Sequence, residues 1–114
     1  HQRIPLLEEG GHTLRFNGMV KYNNDTGQNV QWDYGDGVYG SETPFAPVKG
    51  ADRNSVEDHG YVMSLVTDSN TWTSELQIFD AQDISQGPIA RVKIPHRVPV
   101  GFHAWWSRGE DLWA

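Results

Sequence analysis

The chain has 114 residues and a mass of 12.9 kDa, which is the length of one small domain and too short for two independent cores. Fifteen acidic residues against nine basic ones give a formal net charge of −6, which repels phosphates, so we expect no nucleic-acid partner. The absence of Cys excludes disulfides, thiolate zinc sites and Cys nucleophiles, and it leaves His and carboxylates as the strong metal ligands.

The sequence shows neither a membrane segment nor a targeting signal. No apolar run approaches the roughly 18–20 residues that span a bilayer, and residues 1–5 lack the basic and then apolar pattern of a signal peptide. We therefore expect a soluble protein without a transmembrane segment; its localisation is unknown, with the cytoplasm favoured. The chain begins with His1 and its first residues resemble the middle of a domain, which predicts an excised or processed piece.

The alternation of polar and apolar residues predicts a first antiparallel meander over 12–34. Its first two strands flank Asn17-Gly18, a dipeptide typical of a type I′ turn, and form a tight hairpin over 12–23. A polar turn follows, and a third strand places Val30, Trp32 and Tyr34 on one face. A glycine-rich and proline-containing connecting loop is then predicted over 35–59.

A second meander is predicted within 60–106, with strands at 61–67, 75–79 and 89–94, followed by a tail at 107–114. Aligning residue 12 with 60 and residue 30 with 89 gives an internal offset of about 48–59, which brackets the length of a propeller blade. The predicted fold is all-β, with two blade-like antiparallel meanders in one domain over 1–114. A closed sandwich or barrel of six to eight strands fits the length equally well.

Open blades expose strand edges, so we expect the chain to self-associate, to exchange strands or to pair with missing blades. Its five histidines do not form a local metal-binding motif, because none is paired at i, i+2 on a strand or at i, i+4 on a helix. They are His1, His12, His59, His96 and His103. The first three lie beside turn residues, where a surface or structural role is expected.

His103 is the candidate metal ligand or catalytic base. Two prolines precede it at 95 and 99, and aromatic residues flank it on both sides, which predicts a dry site on irregular backbone. A core His bonded to a backbone carbonyl is the alternative. Glu42 lies in an apolar, proline-bounded stretch, where a buried carboxylate needs a partner such as an imidazole N–H. Pairing of Glu42 with an Arg, or capping of a turn, is the alternative there.

Four segments occur in the order and spacing of the C-terminal end of the carotenoid cleavage oxygenases, a family that includes the lignostilbene dioxygenases. They are 40–47 (GSETPFAP), 57–66 (EDHGYVMSLV), 74–81 (SELQIFDA) and 95–103 (PHRVPVGFH). The resemblance covers about residues 17–106. It implies that the chain is a C-terminal piece of a seven-bladed β-propeller with a non-haem Fe(II) on its axis, held by four His of which three have Glu partners.

By this resemblance His103 is the last of the four iron ligands, Glu42 is a Glu that hydrogen-bonds a ligand His, and Phe102 lines the substrate pocket near the metal. The other three ligand His would precede this chain. Ala104 departs from the family, since many members have Gly there. The resemblance implies O₂-dependent cleavage of a conjugated C=C bond in an apolar apocarotenoid or stilbene-like substrate, giving two carbonyl products.

One imidazole binds Fe(II) too weakly to compete with water, so we expect the isolated chain to hold no iron stably and to be inactive. A different reading is a stand-alone β-rich binding module that uses Trp105, Trp106 and Trp113 as a ligand surface. A third possibility is a hydrolase that combines Glu42 with Asp36 or His103. Only the types of these residues support it, because the sequence does not show the distance between them. The length of the encoding reading frame separates a piece of an enzyme from a stand-alone module.

Overall fold

The computed structural model describes residues 2–3, 15–52 and 54–113, and these residues form antiparallel sheets. The first sheet has three strands, β1 (Gln2–Arg3), β2 (Gly18–Tyr22) and β3 (Asn29–Asp33), with β2 in the middle. Asn23 closes the turn between β2 and β3, because its N–H donates to the carbonyl of Gln28 at 2.8 Å. Its side-chain oxygen also accepts the N–H groups of Asp25 and Thr26, as an Asx turn does.

The predicted hairpin around Asn17-Gly18 is wrong. Gly18 is the first residue of β2 and pairs with Asp33 of β3 on one side and with Arg3 of β1 on the other. A tight turn would leave Gly18 outside the ladder, whereas two flanking strands bond its backbone from both edges. The start of the predicted hairpin, at 12–14, lies outside the described residues.

The second sheet has five strands. They are β4 (Val38–Gly40), β5 (Phe45–Pro47), β6 (Gly60–Asp68), β7 (Thr73–Asp80) and β8 (Ala90–Ile94). The strands β6, β7 and β8 are consecutive antiparallel neighbours, as the sequence predicted for the second meander. The buried residues of this meander lie in β6 and β7, whereas β8 is mostly exposed.

The connecting loop predicted over 35–59 contains two strands that the sequence did not indicate. Both β4 and β5 pair with the edge of β6 that lies opposite β7, with Gly40 against Val66 and Ala46 against Tyr61. A strand of three residues shows too little alternation to be recognised from the sequence. The segment between β4 and β5 therefore runs along a fixed sheet edge, and this segment carries Glu42.

The two sheets share one core. Met19 of β2, Phe79 of β7 and Ile84 are buried together, and the Trp32 ring meets Phe79 edge to face with centroids 6.0 Å apart. Ile84 begins a single 3₁₀ turn, Ile84–Gln86, that follows β7. Of the three residues that the sequence placed on one face, Trp32 and Tyr34 pack against this core, whereas Val30 is exposed. The shared core shows that the first meander packs against a face of the second.

The chain after β8 is irregular until a four-residue helix, α1 (Gly109–Leu112). Trp105 and Trp113 are 89% and 86% exposed, so they do not contribute to a core among the described residues. Within residues 2–3, 15–52 and 54–113, no helix has the length and apolar character needed to cross a membrane.

Candidate metal-ligand site

Glu42 lies on a rigid part of the backbone at the edge of β6. The N–H of Ser41 donates to the carbonyl of Leu65 at 2.8 Å, and the N–H of Leu65 donates to the Ser41 hydroxyl at 3.1 Å. On the other side of Glu42, the Pro44 carbonyl accepts the N–H of Met63 at 3.1 Å. These bonds to a central strand fix the direction in which the Glu42 side chain leaves the sheet.

The structure brings Glu42 next to His103. Glu42 Oε2 accepts the backbone N–H of Ala104 at 2.6 Å across 62 positions of sequence. The other carboxylate oxygen, Oε1, lies 3.7 Å from Nδ1 of His103. One carboxylate therefore binds the main chain and faces one ring nitrogen, which leaves Nε2 directed away from Glu42. The distance from Oε1 to Nδ1 is longer than a hydrogen bond, and the second ring nitrogen is left available as a ligand.

The dry surroundings predicted for His103 are wrong for this chain. The His103 side chain is 95% exposed, and the Glu42 side chain is 32% exposed rather than buried. His103 has φ 62°, a left-handed conformation that non-glycine residues adopt at some cost in free energy. The Glu42 bond to Ala104 helps to hold this conformation, because Ala104 N–H belongs to the peptide that follows His103.

Phe102 is 61% exposed, so the pocket wall predicted there is not formed within the described residues. His59 and His96 are exposed and lie outside the strands, while His1 and His12 lie outside the described residues.

The described residues do not form a complete metal site. Within 2–3, 15–52 and 54–113, no group of three or more His, Asp or Glu side chains is close enough to hold an ion. The described donors at this place are the His103 imidazole and the Glu42 carboxylate, which faces the Nδ1 side of the ring. They can supply one ligand of a metal ion but not its full coordination sphere. Asp36 lies in the turn before β4, while Glu42 follows β4, and this placement does not support a hydrolase that combines these two acids.

Two other carboxylates have shifted pKa values and support the fold. The hydrogen bond from Lys21 to Asp58, at 2.5 Å, lowers the pKa of Asp58. Burial raises the pKa of Glu75, but hydrogen bonds from Arg91 and Gln77 and the nearby positive charges outweigh it, so this pKa also lies below its usual value. The Lys21–Asp58 ion pair connects β2 to the loop before β6, and the Arg91–Glu75 ion pair connects β8 to β7.

The contact between Glu42 and the Ala104 N–H was missed by the sequence reasoning. A backbone donor has no residue-type signature, so this bond could be found only from coordinates. The sequence pattern did point to the segments that carry both residues. What it could not give is the register in which the irregular segment after β8 meets the edge of β6.

Comparisons with known proteins identify the family of this chain. The sequence model of the family described as retinal pigment epithelial membrane protein, RPE65, matches residues 6–108. The chain therefore belongs to this family, the carotenoid cleavage oxygenases, as the resemblance predicted. A relative, the carotenoid 9,10(9',10')-cleavage dioxygenase of Crocus sativus, is 44% identical over 90 residues, which are 77% of this chain and 16% of that protein.

Two solved structures show the same fold over most of the chain. The lignostilbene dioxygenase of Pseudomonas brassicacearum superposes with a TM-score of 0.72 and 34% identity over 83% of this chain and 19% of its own. A cobalt-substituted Synechocystis apocarotenoid oxygenase gives a TM-score of 0.70 and 26% identity over 82% of this chain and 19% of its own. The chain thus spans about a sixth to a fifth of the length of these relatives.

Proposed function

We propose that this chain is the C-terminal part of a non-haem Fe(II) dioxygenase. The proposed reaction is O₂-dependent cleavage of a conjugated C=C bond in an apocarotenoid or stilbene-like substrate, with two carbonyl products. The contact of Glu42 with His103 and Ala104 carries this proposal, because it joins the two site residues predicted from the family pattern. The names of the matched dioxygenases support the reaction class.

His103 is the proposed iron ligand and would use Nε2. Glu42 would accept the Nδ1 proton, fix the tautomer of the ring and raise the basicity of the ligating nitrogen. Phe102 is the proposed pocket residue, since its exposed ring precedes the ligand and offers apolar surface to an apolar substrate. The remaining ligands would come from protein outside this chain, so we propose that the chain alone binds no iron stably and has no activity.

The exposed apolar side chains indicate a surface that other blades would cover in the larger enzyme, or that a second copy would cover in isolation. Those that follow β8 are Val100, Phe102, Trp105, Trp106, Leu112 and Trp113. The exposure of the Trp residues also supports the second candidate, a stand-alone binding module with a Trp surface. The two candidates differ in what they require of His103, which the module does not use.

The proposal is tested by replacing the matching stretch of the lignostilbene dioxygenase with this sequence. We expect the resulting enzyme to bind iron and cleave stilbene substrates, and the isolated chain to do neither. His103→Ala should abolish cleavage and weaken iron binding, while His96→Ala, an exposed His of the same segment, should change both properties less than twofold. Equal effects of the two substitutions, or iron-dependent turnover by the isolated chain, would contradict the proposal.

A further inference from the structure

Two hydroxyl groups hold the backbone of Val98, which belongs to the irregular segment leading to His103. Thr67 of β6 and Ser74 of β7 are cross-strand partners, and their Oγ atoms lie 2.8 Å apart. The N–H of Val98 donates to Ser74 Oγ at 2.8 Å. The hydroxyl of Thr67 donates to the carbonyl of Val98 at 2.9 Å. We call the Thr67 and Ser74 side chains the hydroxyl clamp.

The directions of these bonds are mutually consistent. If the Ser74 hydroxyl donates to Thr67, then each of the two hydroxyls donates once and accepts once, and both backbone groups of Val98 are satisfied. Val98 needs such partners because it lies beyond the end of β8, where its N–H and carbonyl have no neighbouring strand to pair with.

The choice of residues at these two strand positions is informative. A β-branched apolar residue would suit the strand at position 67 at least as well as Thr, and Ser is a weaker strand former than Thr or Val. Ser74 is buried, where a hydroxyl is costly unless it is hydrogen-bonded. The two hydroxyls therefore serve the segment that they hold rather than the pairing of β6 with β7.

The segment between Val98 and Ala104 is thus tied at both ends. The hydroxyl clamp holds its first residue, and the Glu42 carboxylate holds its last through the Ala104 N–H. His103 lies between these two ties in its left-handed conformation. Fixing both ends of a short segment limits the conformations that its residues can adopt.

We propose that Thr67 and Ser74 are positioning residues, which act through the backbone of Val98 to place His103 beside Glu42. The functional meaning of this role rests on the proposed function of His103 as an iron ligand. The structural part of the proposal, that the clamp controls the contact at Ala104, does not depend on a metal and can be measured on the chain itself.

The test measures backbone amide hydrogen exchange by NMR on the ¹⁵N-labelled chain. Thr67→Val removes one hydroxyl and keeps the shape of the side chain, and Ser74→Ala removes the other. Ser74→Ala removes the acceptor of the Val98 N–H and should lower the protection of the Val98 amide by roughly tenfold, the effect of losing one hydrogen bond. Thr67→Val removes the donor to the Val98 carbonyl and should lower that protection by at least about threefold. Each substitution should lower the protection of the distant Ala104 amide by at least about threefold. Thr67→Ser keeps the hydroxyl and should restore both amides to within twofold.

Thr73→Val is the matched control. Thr73 also begins β7 and shares a hydrogen bond with a neighbouring hydroxyl, Thr71, at 2.7 Å, but this pair is exposed and does not touch residues 98–104. The control should leave the Val98 and Ala104 amides unchanged. Protection of the Phe79 amide in the shared core reports whether each variant keeps its fold.

Three results would overturn the proposal. They are unchanged protection at Val98, a loss at Val98 that does not reach Ala104, or equal losses in Thr73→Val. A failure of the proposed function would look different, because loss of iron binding in the hybrid dioxygenase would leave the exchange measurements as predicted. Conversely, if iron binds through His103 but the Thr67 and Ser74 substitutions leave the Val98 and Ala104 amides unchanged, the positioning role is removed and the proposed function stands.

Discussion

Neutralising Glu42 gives the sharpest test of the contact at the candidate site. In Glu42→Gln the side chain keeps its length, but the charged acceptor that bonds the Ala104 N–H at 2.6 Å becomes a neutral amide. Hydrogen bonds to charged groups contribute about 1.5–3 kcal/mol and neutral ones about 0.5–1.5 kcal/mol, so the difference is about 1 kcal/mol. Because the Glu42 side chain is 32% exposed, we reduce this to about 0.5–1 kcal/mol.

This free energy corresponds to a decrease of roughly two- to fivefold in the protection of the Ala104 amide, measured by hydrogen exchange. Glu57→Gln is the control, since it removes the same charge from an exposed turn position. In the hybrid dioxygenase, Glu42→Gln should also weaken metal affinity by about 10–100-fold, as losses of a carboxylate behind a ligating His do. If the Ala104 amide is equally protected from hydrogen exchange in Glu42→Gln and Glu57→Gln, the proposed contribution of the Glu42 carboxylate to this contact is refuted.

Three further predictions concern the fold. The pKa of Asp58 is lowered in the folded chain, so its pairing with Lys21 stabilises the fold above about pH 4. This stabilisation is lost as the pH falls through the folded-state pKa of Asp58. Asp58→Asn should therefore reduce the fall in the free energy of unfolding at acid pH, measured by urea unfolding across a pH series. Gly87→Ala should cost about 1–3 kcal/mol in thermal or urea unfolding, because Gly87 has φ 84° and a Cβ would lie 2.8 Å from the Trp32 ring. Phe79→Ala should cost about 3–5 kcal/mol, because the ring is fully buried, and near-UV circular dichroism should show the loss of ordered aromatic packing.

The sequence predicted the elements whose signals are local. The meander of β6, β7 and β8 follows from long alternating stretches separated by polar turns, and the structure has all three strands. The Asn17-Gly18 turn failed because pairing with β1 and β3, which are distant in sequence, overrides a dipeptide preference. The strands β4 and β5 were missed because three residues cannot show a period.

The candidate site shows the same division. The family pattern pointed to Glu42 and His103 as site residues, and the structure places the two side chains near each other. The surroundings of His103 were predicted wrongly, because its neighbours Phe102 and Trp105 do not enclose it within the described residues. Bonds made by backbone groups, such as the Ala104 N–H, have no signal in the sequence.

The central claim is that the imidazole of His103 is one of several nitrogen ligands of a single iron. X-ray absorption on the iron-loaded hybrid dioxygenase counts these nitrogens directly. We predict one nitrogen neighbour fewer in His103→Ala than in the parent hybrid, and an unchanged count in His96→Ala. A hybrid that keeps its full set of iron–nitrogen contacts without the His103 side chain would contradict the account.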